Sequence, residues 1–245
     1  MSNKNSKRAI GMKRFFRIFF SRGWVTKICF GIIAAFVFIA IFAPVLTQYT
    51  PYEQNLRYIL ANPSSEHLLG CDNIGRDTLT RLLFGARVSL ITGLLSSIWA
   101  AVLGTSIGLI AGYVGGWLNS FVMRFTDAMI AIPPIIFTMV LSTMVTGNLM
   151  GISLVIGVSI IPSYIRMVNG LVISLRENDY VTASNLIGQK QLVIMFRHLL
   201  PNCLASLIVT FTMNVGTAIM LESTLSYLGV GIIPPTPAWG VMVSE

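Results

Sequence analysis

Few residues in this chain have types and spacings suited to covalent chemistry. It has two histidines, His67 and His198, and three cysteines, Cys29, Cys71 and Cys203, with no C-x-x-C pair. Hydrolysis by a nucleophile or a metal needs a base and its partners held together. The zinc-protease motif H-E-x-x-H does not occur. The phosphate-cradling loop G-x-x-x-x-G-K-[ST] is missing as well, and Lys190 is the sole lysine after Lys27. If ATP drives the function, another chain binds it. The scattered cysteines argue against a disulfide framework or a zinc ribbon. Cys29 and Cys203 read as small lipid- or helix-facing residues, and Cys71 as a free thiol in a polar segment. The histidines read as hydrogen-bonded loop residues, and no metal site is expected.

Ionisable residues within apolar runs are the remaining candidates, because charge at membrane depth is costly and marks a function or a pair. Glu222 lies near the outer end of the last long apolar run. It lines a polar path, pairs with an outer arginine, or simply sits at the interface. Arg166 follows Pro162 and approaches the inner face, where snorkelling to headgroups is the favoured account. Arg124 and Asp127, three apart, read as an interfacial pair. Pro133 and Pro134 remove amide hydrogens in mid-helix, which is tolerable only where protein or water meets the freed carbonyls. That helix therefore faces the bundle or a solute path. In a polar segment, Asp72, Arg76 and Asp77 are candidates for an outer contact, with pairing inside the loop as the alternative.

The elements that position these residues follow from composition. Of 245 residues, 54% are apolar and 11% charged, against about 25% charged in soluble domains. With a mean hydropathy of +0.76, the chain reads as an all-α polytopic membrane protein. Lys4, Lys7, Arg8, Lys13, Arg14, Arg17, Arg22 and Lys27 precede any acid, and beyond them cations and acids balance, so the net charge of +8 sits in the leader. Nucleic-acid binding, which needs a basic folded face, is excluded.

The basic segment 1–27 leads into an apolar run from Ile28 to about Leu46, near the roughly 20 residues of a spanning helix. It is too long for a signal peptide and lacks a cleavage site, so 28–48 is an uncleaved first span. A polar interval, 49–87, follows on the outside. Further helices are expected at 88–111, from Arg124 to about Val145 with an interruption at Pro133-Pro134, at 150–173 and at 202–222. A glycine turn at 112–117 separates the first two of these. About five helices result. With the N-terminus in the cytoplasm, thirteen cations lie inside against four outside (Arg57, Arg76, Arg81 and Arg87), as the positive-inside rule requires. The tail holds Pro234, Pro235 and Pro237 and cannot span unbroken. In the inner interval, Val181, Leu186 and Ile187 suit one short amphipathic helix. Leu192, Ile194, Met195 and Leu199 suit another that Pro201 ends or turns into the next span. Gly188 permits the bend between them. The result is a helix-turn-helix knuckle in the cytoplasm, with an amphipathic loop on the headgroups as the alternative.

The spacing Thr182-Ala183-Ser184, then Gly188, Ile194 and Leu200-Pro201 resembles the E-A-A-x-x-x-G…I…L-P loop of bacterial ABC importer permeases. The stretches His67–Asp77, Gly85–Leu90, Gly112–Trp117, Asp127 with Pro133, Glu222–Gly229 and Pro234–Gly240 resemble the C-type chain of the dipeptide/oligopeptide/nickel branch. Nearly the whole chain is covered, in order. Thr182 stands where the family has glutamate, Ser184 where it has a second alanine, and Cys71 where it has threonine. Family members continue into a sixth helix after the Trp-Gly segment, so a truncation, a fragment and a five-span variant all stay open.

The resemblance implies a type I importer transmembrane domain over 88–245, with a cytoplasmic coupling loop at 174–201. Tyr180, Thr182, Ala183, Ser184, Gly188, Ile194, Arg197, Leu200 and Pro201 would form the ATPase-coupling surface. Pro133, Pro134 and Glu222 would belong to the translocation path. The implied partners are a B-type second permease, two ABC ATPase subunits holding ATP and Mg, and an extracytoplasmic substrate-binding protein. The setting is the cell membrane, crossed several times. The chain itself is not an enzyme, and the cargo is a dipeptide or oligopeptide, with nickel and glutathione as alternatives. The rival classes are a transport-inactive copy with an assembly role and an intramembrane enzyme.

Overall fold

In a computed structural model, the structure describes residues 23–145 and 147–245. The leader cations from Lys4 to Arg22 lie outside the described residues. The first span, α1, covers Trp24–Leu46, starting one turn before the expected Ile28. It is apolar all round and only Ala43 is buried, the pattern of a helix whose surface meets lipid rather than a protein core.

The second helix, α2, runs Thr78–Val114, ten residues earlier than the expected start at 88. The outer interval is correspondingly shorter than 49–87. Arg81 and Arg87 disguise this start as loop. What begins the helix is Asp77, whose Oδ2 accepts from the Thr80 amide at 2.7 Å, an N-cap. Helix α3 spans Gly116–Ala131 and starts at the glycine turn rather than near Arg124. Helix α4, Pro134–Ser142, is turned by 87° from α3. The expected interruption at Pro133-Pro134 is therefore a full break, since neither proline supplies an amide hydrogen to the turn before it.

Helix α5 covers Leu149–Arg176 and is opened by Asn148, whose side chain accepts from the Met150 and Gly151 amides. The short helix α6 is Asp179–Leu186. After it, Gln191–Tyr227 forms one long helix, α7. The second short helix expected before Pro201 is therefore not a separate element. A π turn at Ile194–Leu199 lets the chain pass Pro201 without a stop: the Leu200 amide bonds the Met195 carbonyl five residues back, and this wider pairing spares the carbonyls there from needing the amide hydrogen that proline lacks. The inner interval correspondingly ends near Lys190, well before 201. A final helix, α8, is Trp239–Ser244. Among the described residues, four helices are long and apolar enough to cross a membrane, and the bent α3–α4 pair makes up to five, as composition led one to expect.

The core is the α2–α5 pair. Gly104, Gly108 and Gly112, spaced four apart on one face of α2, take α5 at backbone contact. A Cβ at Gly104 would lie 2.6 Å from the Tyr164 Cβ, one at Gly108 2.8 Å from the Ile165 carbonyl, and one at Gly112 3.0 Å from the Val172 Cβ. Such small-residue seams let membrane helices gain dispersion energy where no hydrophobic drive separates protein from lipid. Connections gather at two poles. At one, Arg176 donates to the Gly112 and Tyr113 carbonyls at 3.4 and 3.2 Å, tying the end of α5 to the α2–α3 turn. At the other, Arg76 meets Glu245 and the Gly147 amide bonds the Gly231 carbonyl.

Candidate functional site

The knuckle after α5 is built from one helix and one glycine. Helix α6 ends in a Schellman pair: the Gly188 amide bonds Asn185 O at 3.0 Å and the Gln189 amide bonds Ser184 O at 3.1 Å. Gly188 has φ +74 and open space around it, so backbone conformation rather than crowding demands glycine there. Val181 is fully buried in a cluster with Leu109, Tyr113, Val168, Val172, Ile194, Met195, Leu199 and Cys203. Polar ties add to this anchor. Tyr113 Oη donates to Asn185 Oδ1 at 3.1 Å, Ser184 Oγ to the Tyr180 carbonyl at 2.8 Å, and Asn202 Nδ2 to Tyr180 Oη at 3.4 Å. His198 and Gln189 pair at 3.1 Å.

The coupling residues implied by the family likeness divide between the two sides of this element. Ser184 and Ile194 are buried and Leu200 is half-buried, whereas Tyr180, Thr182, Ala183, Gly188, Arg197 and Pro201 are exposed. The apolar face expected from Val181, Leu186 and Ile187 is also divided. Val181 anchors, while Leu186 is 83% and Ile187 78% exposed. An apolar tip therefore stands out at the bend.

At the opposite pole, Asp72, Arg76 and Asp77 are brought close together but face inward. Asp72 Oδ2 accepts from Arg76 Nε at 2.6 Å and from Arg81. Glu245 Oε2 accepts from Arg76 Nη2 at 2.9 Å and Arg81 Nη1 at 2.5 Å. Asp77 pairs with His67 Nδ1 at 2.9 Å, and both are buried. Burial pushes the Asp72 carboxyl up, but amides of Arg76 and Ile74 and the Arg76 guanidinium outweigh it and hold the group below its ordinary 3.8. Burial, then the charges of Asp77 and Asp72, push the Cys71 thiol up, so it stays protonated and unreactive. Local pairing thus occupies all three candidate outer residues.

Pro133 and Pro134 do not meet Glu222. The prolines mark the α3–α4 break beside a groove of about 590 Å³ lined by Met129, Ile130, Pro134, Phe137, Pro162 and Arg166, among others. Glu222 is fully enclosed between α2 and α7. Its Oε2 accepts from Ser89 Oγ at 2.9 Å and its Oε1 from Ser226 Oγ at 2.8 Å.

The family model described as the binding-protein-dependent transport system inner membrane component matches residues 104–245. One described as the N-terminal TM domain of oligopeptide transport permease C matches residues 12–63. The chain belongs to the binding-protein-dependent transport permease family. The permease is 40% identical over 231 residues to a dipeptide transport system permease protein of Haemophilus influenzae, covering 92% of this chain and 78% of that protein. Against another of that name from Alkalihalophilus pseudofirmus it is 41% identical, with 87% and 70% covered. Against the oligopeptide transport system permease protein of Bacillus subtilis it is 32% identical, with 100% and 80% covered. It is thus a membrane-embedded, non-catalytic transport component.

Two features of the permease escaped sequence reasoning. Asp127 pairs not with Arg124 but with Arg166, at 2.5 Å, across a separation no local spacing rule covers. Arg166 is therefore held by a partner rather than only reaching for headgroups. The second is the inward turn of Arg81, which carries two of the four outer ion pairs made by arginine. Its only signal was an i+4 spacing from Asp77, the residue that caps its helix.

Proposed function

We propose that this chain is a membrane-spanning subunit of an ATP-driven importer of dipeptides or oligopeptides, and that the knuckle at 177–190 couples it to a separate ATPase. The observation that carries this reading is the apolar tip Leu186–Ile187, exposed on an element otherwise fixed by buried Val181 and the Tyr113–Asn185 bond. A stiff base with a greasy, solvent-facing end suits insertion into a cleft. Tyr180, Thr182, Ala183 and Arg197 are exposed as well, and Gly188 sets the bend. When two ATPase subunits close around their ATP and Mg, they press on two such knuckles. The helices then rock between inward- and outward-open states.

The N-terminus and the knuckle lie in the cytoplasm in this reading, supported by twelve cations on the inner side, Arg166 left aside, against four outside. A B-type permease completes the path, and an extracytoplasmic binding protein delivers cargo. Peptides are the proposed cargo because relatives named for dipeptide and oligopeptide transport match along most of the chain. The test is uptake by proteoliposomes holding this chain, the second permease, both ATPases and the loaded binding protein. Ala183→Glu, on the exposed face, is expected to leave the complex assembled and to cut uptake at least tenfold, equivalent to about 1.4 kcal/mol at the contact. Undiminished uptake would overturn the coupling assignment.

A further inference from the structure

The groove at the α3–α4 break holds an ion pair in an unusual place. Arg166 lies ten residues before the inner end of α5, about 15 Å at 1.5 Å per residue. Asp127 lies eleven residues beyond the inner start of α3, about 17 Å by the same rise. With a hydrocarbon core of about 30 Å, both stand near mid-membrane. Yet the two side chains are 52% and 59% exposed on the surface of the chain. Hydrocarbon against them would carry a heavy penalty, so whatever lies there is polar.

The surroundings describe what polar thing fits. Ile130 lines the groove, and the residue four ahead of it is Pro134, which has no N–H, so the Ile130 carbonyl lacks its helical partner. Ser159 and Ser163 add hydroxyls to the wall, while Met129, Ile132, Phe137 and Met167 make the rest apolar. A cation, an anion and an open carbonyl thus border an apolar trough of about 590 Å³, a volume within the usual range of small-molecule sites.

Resting on the peptide reading above, we propose that this groove is a station on the cargo's route. There the Arg166 guanidinium takes the terminal carboxylate of a peptide, and Asp127 with the Ile130 carbonyl takes its ammonium. Arg166 presents a planar fork of donors that matches a carboxylate. Asp127 keeps that fork aimed and neutralised while the groove is empty. The zwitterion replaces one ion pair with two, so neither charge is left uncompensated at depth. The apolar trough receives side chains without a hydrogen-bond requirement, which makes the station indifferent to peptide sequence.

The experiment uses the assembled complex with its binding protein. In lipid nanodiscs, Ser163→Cys is labelled with anionic or cationic methanethiosulfonate and read by mass at that position, with buried Cys203 as the internal control. We expect labelling well above Cys203, with a preference for the anionic over the cationic reagent that falls about tenfold in Arg166→Gln, the factor of a 1.4 kcal/mol change. Peptide-loaded binding protein with ATP should slow labelling in the parent and not in Arg166→Gln. In proteoliposomes at saturating loaded binding protein, Arg166→Gln should lower the maximal rate for a free-acid peptide about tenfold, and Arg166→Lys should recover part of it. The swap Arg166→Asp with Asp127→Arg restores the bond but misplaces the cation, and should not recover the rate.

Full recovery by the swap would show a purely structural pair and overturn the proposal. So would labelling no faster than Cys203, which would mean that lipid or a neighbouring chain covers the groove. If the parent labels with the predicted preference yet transports no peptide, the peptide reading fails while the polar groove stands.

Discussion

The two poles of the molecule are held together by opposite means. The outer pole is stitched by charge: Asp72, Arg76, Arg81 and Glu245 bind one another, Asp77 binds His67, and nearly all are withdrawn from solvent. The inner pole is held by apolar packing around Val181 and then presents Leu186 and Ile187 outward. A region whose charges are consumed internally keeps its shape by itself. A region that spends only half of its apolar face inside has the other half left for a neighbour. The contrast separates a structural cap from a working end, although both poles look equally polar in composition.

The largest effect that would break this contrast is at the cap. Asp72→Ala removes one of the two carboxylates shared by two enclosed arginines, leaving Glu245, and is expected to destabilise the cap by about 1.5–3 kcal/mol, the range for hydrogen bonds to charged groups. A thermal melt of the purified complex checks it, and a change below 1 kcal/mol would mean the cap is wet. At the knuckle, Gly188→Ala is expected to cost about 1–2 kcal/mol locally, the penalty of a left-handed residue with a Cβ. Hydrogen exchange of the Gln189 amide should rise while the melt of the whole complex barely moves. The double variant Leu186→Ser with Ile187→Ser should leave stability within about 0.5 kcal/mol, as exposed positions do. ATPase copurification should nonetheless be lost. Retained ATPase together with a lowered melting point would reverse the roles assigned to the two poles.

The smallest effect is acid dependence. The folded Asp72 pKa lies below its ordinary 3.8, so the unfolded chain takes up the proton first as pH falls. Its contribution is therefore complete above about pH 5 and is lost as pH drops through 4 and below. Melting curves of the parent and Asp72→Asn should run parallel from pH 8 to 5 and converge only under stronger acid. Convergence near neutrality would place the Asp72 proton elsewhere.

How much of this was legible follows from what local pattern encodes. The apolar runs, the glycine turn before Gly116 and the bend at Gly188 are periodicity and backbone statements, and they sit where the sequence puts them. Helix starts in polar stretches were hidden. Asp77, Arg81 and Arg87 look like a loop until their charges are seen to pair or to leave the helix sideways. Pro201 reads as a stop or as a turn into the next span, and the π turn that absorbs it has no compositional mark. Tertiary pairing was least accessible: Asp127 has a cation three residues away, yet bonds Arg166 from another helix. The division of Val181 from Leu186 and Ile187 depends on which side the neighbouring helices occupy, which a single amphipathic pattern does not state.

The three glycines that bring α2 onto α5 also restrict how this molecule is able to deform. Backbones already touching have no slack for sliding or tilting against each other, so those two rods travel as a single plank. Flexure is left to the places where the ladder of amide bonds is already interrupted, at Ile132–Pro133 and in the wide turn before Pro201. A bulkier residue at Gly108 would therefore act less like damage to a wall than like a wedge driven into a plank, prising apart the one piece whose stiffness lets a push at the cytoplasmic end be felt on the far side.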